Sequence, residues 1–210
     1  MATVIGCGTD LHPGAAAVVN GTTFSQSRVD DLVQAVCSFT KIQREQTGGT
    51  EPTATLAQAR TSLSSALISF ELTDLAAAQL GVTVKDSAVA NAAAGNPVPE
   101  ELDEADAELL QGFFEDSARF QLQQTAIGAH LEDPSVTTAA VTDEADAARA
   151  QGYLRKFAAN QEVTVSPAYG AWNGSFVARR SGSLSDPVSE TAKRLTRQSA
   201  ADLPPSQVCG

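Results

Sequence analysis

Between residues 26 and 160 the apolar side chains recur three and four positions apart, block after block. That spacing commits most of the chain to helices, each with one face that must be covered. Val29, Leu32, Val33, Val36 and Phe39 mark a first helix over about 26–43. Leu56, Leu63, Leu67, Phe70 and Leu80 mark a long second helix over about 54–80, with Gly81 placed to end it in the left-handed conformation. "GVTVKDSAVANAAAG" reads as a turn and a short helix capped by Asp86 and stopped at Gly95. A further long helix is expected over about 100–131. Glu100, Glu101 and Asp103 match its positive end, and Leu109, Leu110, Phe113, Phe114, Phe120, Leu122, Ile127 and Leu131 form its buried side. A last helix over about 143–160 opens with Thr142 and a group of carboxylates.

The period changes at both ends of this helical run. Ala17-Val18-Val19 and Thr22-Thr23-Phe24 flank Asn20-Gly21, the strongest short hairpin signal, and Ser25 then fits an N-cap. At the far end Val163 and Val165 alternate with Thr164, and Pro167 confines that strand to an edge or an end. The expected plan is a mostly helical body with a small sheet joining its two ends. Residues 181–210 turn polar and Ser/Pro-containing, so order is expected there only if Cys209 pins the segment.

Few function classes survive the composition. A net charge of −11 argues against nucleic acid as a partner, because phosphate binding needs a basic face. Aromatic residues make up only 5% of the chain, so Leu, Val, Ile and Ala must carry the core. No apolar run reaches the roughly 18 residues of a membrane span. Catalytic motifs are missing: there is no G-x-S-x-G, H-E-x-x-H, C-x-x-C or phosphate-cradling Gly-rich loop. His12 and His130 stand alone, and "DEADA" at 103–107 and 143–147 fits helix starts better than calcium loops. Asn20-Gly21-Thr22 and Asn173-Gly174-Ser175 match a glycosylation sequon but read first as turns. The Phe113-Phe114 pair fits core packing or a client groove. A binding or holding role is expected, with no enzymatic activity, cofactor or metal.

Three cysteines, Cys7, Cys37 and Cys209, leave one over. A Cys37–Cys209 bridge would tie the C-terminal stretch to the first helix and could contribute about 4–5 kcal/mol through loop-closure entropy. It requires an oxidising compartment. The alternative is a buried apolar thiol at Cys37 and a free thiol at Cys209.

Three segments, in order, resemble a known family. "AAVVNGTTFSQSRVDDLV" resembles the opening strand-turn-helix of the SurA/PrsA-type extracytoplasmic chaperones. "LGVTVKDSAVANAA" resembles the stretch after their long helix. "VTVSPAYGAW" resembles the late strand of high-GC Gram-positive lipoproteins that carry a SurA N-terminal-like domain. The resemblance spans most of residues 17–172. It implies a SurA N-terminal-like helical domain over 17–180 in which the first and late strands pair, and binding of unfolded or exported polypeptides in an apolar cradle. Phe113, Phe114, Phe120, Tyr153 and Phe157 are the expected peptide-binding residues. The family's parvulin-type isomerase domain has no room here, since the helix over 143–160 runs almost directly into Val163. Val4-Ile5-Gly6-Cys7 then resembles a lipobox, with residues 1–16 as a lipoprotein tether, Cys7 lipidated and the protein held on the outer face of the cell membrane. On that reading Cys37 and Cys209 are free to bridge, and residues 181–210 form a C-terminal tail. Alternatives are a dedicated adaptor or structural subunit of an envelope or secretion complex, and a residual peptidyl-prolyl isomerase.

Overall fold

The computed structural model describes residues 13–49, 52, 54–178 and 203–209; Cys7 and His12 lie outside them. In chain order the elements are β1 (Ala15–Val19), β2 (Thr22–Ser25), α1 (Gln26–Gln46), β3 (Ala54–Thr55), α2 (Leu56–Leu80), β4 (Thr83–Val84) and α3 (Asp86–Ala93). There follow α4 (Glu104–Glu132), β5 (Thr138–Ala139), α5 (Glu144–Ala158), β6 (Val163–Val165), β7 (Ala171–Trp172), β8 (Val177–Ala178) and β9 (Val208–Cys209).

The two ends of the helical run meet in a three-stranded antiparallel sheet of order β2-β1-β6. Val19 faces Thr22 across the two-residue turn, and Asn20 and Gly21 both have positive φ, 46° and 90°. That is the twist an Asn-Gly hairpin supplies. The sheet starts at Ala15, two residues before the expected start at Ala17, and β1 is buried along its whole length. Asn20 also fastens the far strand: its side-chain amide donates to Gln161 Oε1 at 2.7 Å, and its Oδ1 accepts the Glu162 N–H at 2.9 Å.

α2 is the axis of the molecule. Its buried positions come in adjacent pairs, 63–64, 67–68, 72–73 and 76–77, with the small polar Ser64 and Thr73 among the apolar residues, so its buried stripe is wide enough to serve several partners. Leu63 and Leu67 join Val29, Leu32 and Val33 of α1. Ile68 and Leu72 pack under Val19 of the sheet, and Ala76 and Ala77 meet Ala126, Ile127 and Ala150 of α4 and α5. The helix begins with a full capping box between Thr55 and Gln58 and ends at Gly81 with φ 69°.

Several boundaries differ from expectation. Asp86 is the first residue of α3 and not its cap, because Lys85 takes the extended N-cap conformation. α4 begins at Glu104, since the Asp103 carboxylate accepts the Asp106 N–H and fixes the start there. Asp143, not Thr142, caps α5 by accepting the Asp146 N–H. α2 starts at Leu56 because residues 54–55 are drawn into pairing with β9. Leu131, expected on the buried side of α4, lies in its last turn at 39% exposure. Cys37 and Cys209 form a disulfide, and Ala54 pairs with Cys209 and Thr55 with Val208, so residues 203–209 are docked on the body.

Candidate polypeptide-binding clefts

The expected aromatic residues fall into two groups. Phe114 on α4 meets Phe39 on α1 edge-on at 5.5 Å, and Phe113 lies 6.4 Å from Phe114. Phe70 on α2 then bridges Phe113 at 5.8 Å and Phe120 at 5.1 Å. These rings form one half-buried seam along α1, α4 and α2. Each such pair contributes about 0.5–1.5 kcal/mol beyond area burial, so the seam holds the three helices together as well as presenting ring edges. Tyr153 and Phe157 of α5 stack on each other at 6.2 Å and pack against the Ala76–Ile127 cluster instead. The structure therefore does not bring all five residues into one cradle.

Two clefts flank the seam. The larger, of about 560 Å³, opens between α1, α2 and α4; Leu32, Leu67, Leu109 and Phe113 form its apolar part. Charges of both signs surround it: Arg28 and Arg119 against Glu108, Glu115 and Asp116. Burial pushes the Asp116 carboxyl above the usual carboxylate range; Arg119 and Arg28 draw it back, while Asp74 and Glu115 add to the rise. The smaller cleft, of about 250 Å³, lies between α2, α4, α5 and the β7–β8 hairpin, with Leu72, Phe120, Leu154 and Trp172 in its walls. Phe113 thus belongs to one cleft and Phe120 to the other, and neither Tyr153 nor Phe157 lines either.

Leu32 and Leu67 are buried, as their spacing marked them, and form the floor of this cleft, while Leu109, also at core spacing, is only half-buried at its edge. The α4 positions 105, 108, 109, 112, 113 and 116 share one face at helical spacing, with Gly112 leaving that face open. A glycine between Leu109 and Phe113, on a face that also carries Glu108 and Asp116, was the available signal.

A third cleft, of about 700 Å³, runs along α1 from Asp30 and Asp31 to Lys41 and Arg44, and Leu203 and Val208 of the C-terminal segment form part of its wall. Asp30 is paired with Arg60 at 2.9 Å. Among the described residues no helix is long and apolar enough to cross a membrane, and no group of His, Cys, Asp and Glu is arranged to hold a metal ion. His130 takes the last turn of α4, its Nδ1 lying 2.8 Å from the Val136 carbonyl. Comparison of the chain with protein-family models, curated proteins and solved structures returns no match.

Proposed function

We propose that the protein is an extracytoplasmic, membrane-tethered chaperone-like lipoprotein that binds unfolded or exported polypeptides and has no prolyl isomerase activity. The observation that carries this reading is the α1–α2–α4 cleft, in which half-buried Leu109 and Phe113, backed by buried Leu32 and Leu67, are bordered by charges of both signs. Such a surface rewards burial of apolar side chains without demanding one sequence, as a holding protein requires. The Cys37–Cys209 bridge supports an oxidising compartment. Only residues 159–162 separate α5 from β6, which supports a body without an inserted isomerase domain. The anchor is assigned to Cys7 on its lipobox-like setting, and stable anchoring calls for more than one acyl chain there.

Suppression of aggregation of an unfolded model protein tests the central claim. Wild type should slow aggregation, and Leu109→Glu should lose most of that effect while its thermal melt stays near wild type. No suppression by wild type sinks the reading. Pull-down from membranes decides between many clients and the single stoichiometric partner of an adaptor. Mass spectrometry of the native membrane form tests the anchor, and an unmodified Cys7 removes it.

A further inference from the structure

The cleft of about 700 Å³ along α1 has no part in polypeptide binding between α1, α2 and α4, and it leads to the disulfide. Asp30, Gln34, Cys37, Lys41 and Arg44 follow one another in steps of four and three residues. They therefore form one row on one face of α1, and all of them line the cleft. Cys37 stands in the middle of the row and is half-buried. Its partner Cys209 is buried in the cluster around Val33 and Leu63, and of the two cysteines only Cys37 is among the described residues lining the cleft. The two sulfurs of one bond thus differ in access, and access helps decide which sulfur an incoming thiolate attacks.

Charge is uneven along the same row. Lys41 lies one turn beyond Cys37 and Arg44 another turn on, whereas Asp30 and Asp31 lie nearly two turns before it. Arg60 of α2 neutralises Asp30 at 2.9 Å. That leaves Lys41 and Arg44 against Asp31 among the described charges of the cleft, with Lys41 the nearest to Cys37 along the helix face. A cationic flank draws in anions and raises the thiolate share of a thiol that enters. The volume falls within the roughly 300–1,000 Å³ of small-molecule sites. Path, charge and size therefore describe one visitor, a small molecule with a thiol and a negative charge.

We propose that this cleft is a thiol–disulfide exchange site for a small thiol that carries a separate carboxylate or sulfonate. The thiolate attacks the Cys37 sulfur, and a new S–S bond forms there as the Cys37–Cys209 bond breaks. The electron pair of the broken bond leaves with Cys209, whose thiolate takes a proton from water. The incoming sulfur is oxidised and the Cys209 sulfur reduced, so the step needs no other oxidant or reductant. The small thiol stays on α1 as a mixed disulfide beside Lys41, and β9 loses its covalent hold on the helix. Return of the Cys209 thiolate to Cys37 expels the small thiol and restores the bridge.

Thiols of similar size and different charge test this on the full chain: anionic mercaptoethanesulfonate, neutral mercaptoethanol and cationic cysteamine. Each is mixed with folded protein and quenched with an alkylating agent. Peptide mass mapping then separates adducts on Cys37 from those on Cys209 and Cys7. Dividing each rate by that of the urea-unfolded chain removes the intrinsic reactivity of the thiol. The adduct should form on Cys37, with Cys209 alkylated in the same molecules. The normalised rate should fall from anion to neutral to cation, by on the order of tenfold across the series at low salt, and the spread should shrink at high salt. Lys41→Glu, at an exposed position, should flatten the series, and Lys41→Arg should keep it. Thermal melts verify that both variants are folded, and Lys41→Gln replaces the Glu variant should its melt collapse. Adducts on Cys209, an even split between the two sulfurs, or normalised rates that ignore charge overturn the proposal. Exchange that occurs only once urea unfolds the chain overturns it equally and leaves the bridge a purely structural tie.

Discussion

Gly128 sets how closely α4 and α5 cross. A Cβ at this position would overlap the backbone carbonyl of Asp146, and backbone cannot swing aside as a side chain can. The crossing is locked on both sides: the Asp143 N–H donates to Thr125 Oγ1 at 3.0 Å, and Arg149 donates to the Gly128 carbonyl at 3.1 Å while reaching Glu132 at 2.6 Å. Gly128→Ala should therefore destabilise the fold by about 3 kcal/mol or more, through forced separation of the helices. Gly152→Ala on α5 meets nothing within 4 Å and should stabilise by about 0.5–1 kcal/mol, so urea melts of the pair separate steric cost from helix propensity. Tyr169 offers a second test at this scale. Burial, then the neighbouring charge of Asp30, pushes its phenol from 10.0 up to about 12. The folded state then holds its proton where the unfolded chain has lost it, so its contribution is complete below pH 10 and is lost as pH rises from 10 towards about 12. Tyr169→Phe should be flatter than wild type over that window in pH-dependent denaturation, and identical slopes would refute the assignment.

At the scale of elements, the hairpin turn has a second job as a latch. Asn20 supplies both the positive φ of the turn and the two side-chain bonds to residues 161–162 that hold β6 beside β1. Asn20→Ala should lose both and cost about 2 kcal/mol, whereas Asn20→Gly keeps the backbone conformation and should cost about 1 kcal/mol. A larger loss for Gly than for Ala in chemical denaturation would mean that turn geometry is not what matters. The helices and this hairpin were legible in the sequence because their causes are local: a 3.6-residue apolar period, or an Asn-Gly pair between alternating residues. Elements of two residues have no period to read. β3, β4, β5 and β9 exist only through partners met elsewhere in the chain, such as the parallel contact of Thr83 with Thr138, whereas β7 and β8 pair locally across the turn read at Asn173-Gly174. The carboxylates misled at finer grain, since Asp86, Glu100 and Glu101 suit the positive end of a helix whether they stand in its first turn or just ahead of it. The clefts were not legible either. Leu32, Leu67 and Leu109 all have core spacing; the first two are buried, and only the way α1, α2 and α4 cross leaves Leu109 half-buried at the edge of a gap.

For the whole molecule, the disulfide is the longest-range restraint among the described residues. It joins positions 172 residues apart and carries Cys209, 4% exposed, into the same cluster as Val33, Leu63 and Tyr169. Besides the bridge and this packing, the C-terminal strand is held by a ladder of two residue pairs, Ala54 with Cys209 and Thr55 with Val208. Loop-closure entropy for so long a loop gives an upper estimate of about 5 kcal/mol for the bridge. Reduction should act in two steps. The C-terminal segment detaches first, because two ladder pairs cannot hold it against the entropy of a freed chain, and the 700 Å³ cleft loses the wall formed by Leu203 and Val208. Global stability then falls, with a drop of ~10 °C or more in melting temperature for a chain of this size. Thermal melts with and without a dithiol reductant measure the second step; limited proteolysis near residues 203–208, under conditions where the body stays folded, measures the first. The double variant Cys37→Ala/Cys209→Ala should be cut there without reductant, and reductant should not shift its melt. Wild type whose thiols titrate as free, yet whose melt and cleavage pattern do not change, would show that packing of β9 against Val33 and Leu63 holds the strand without the bridge.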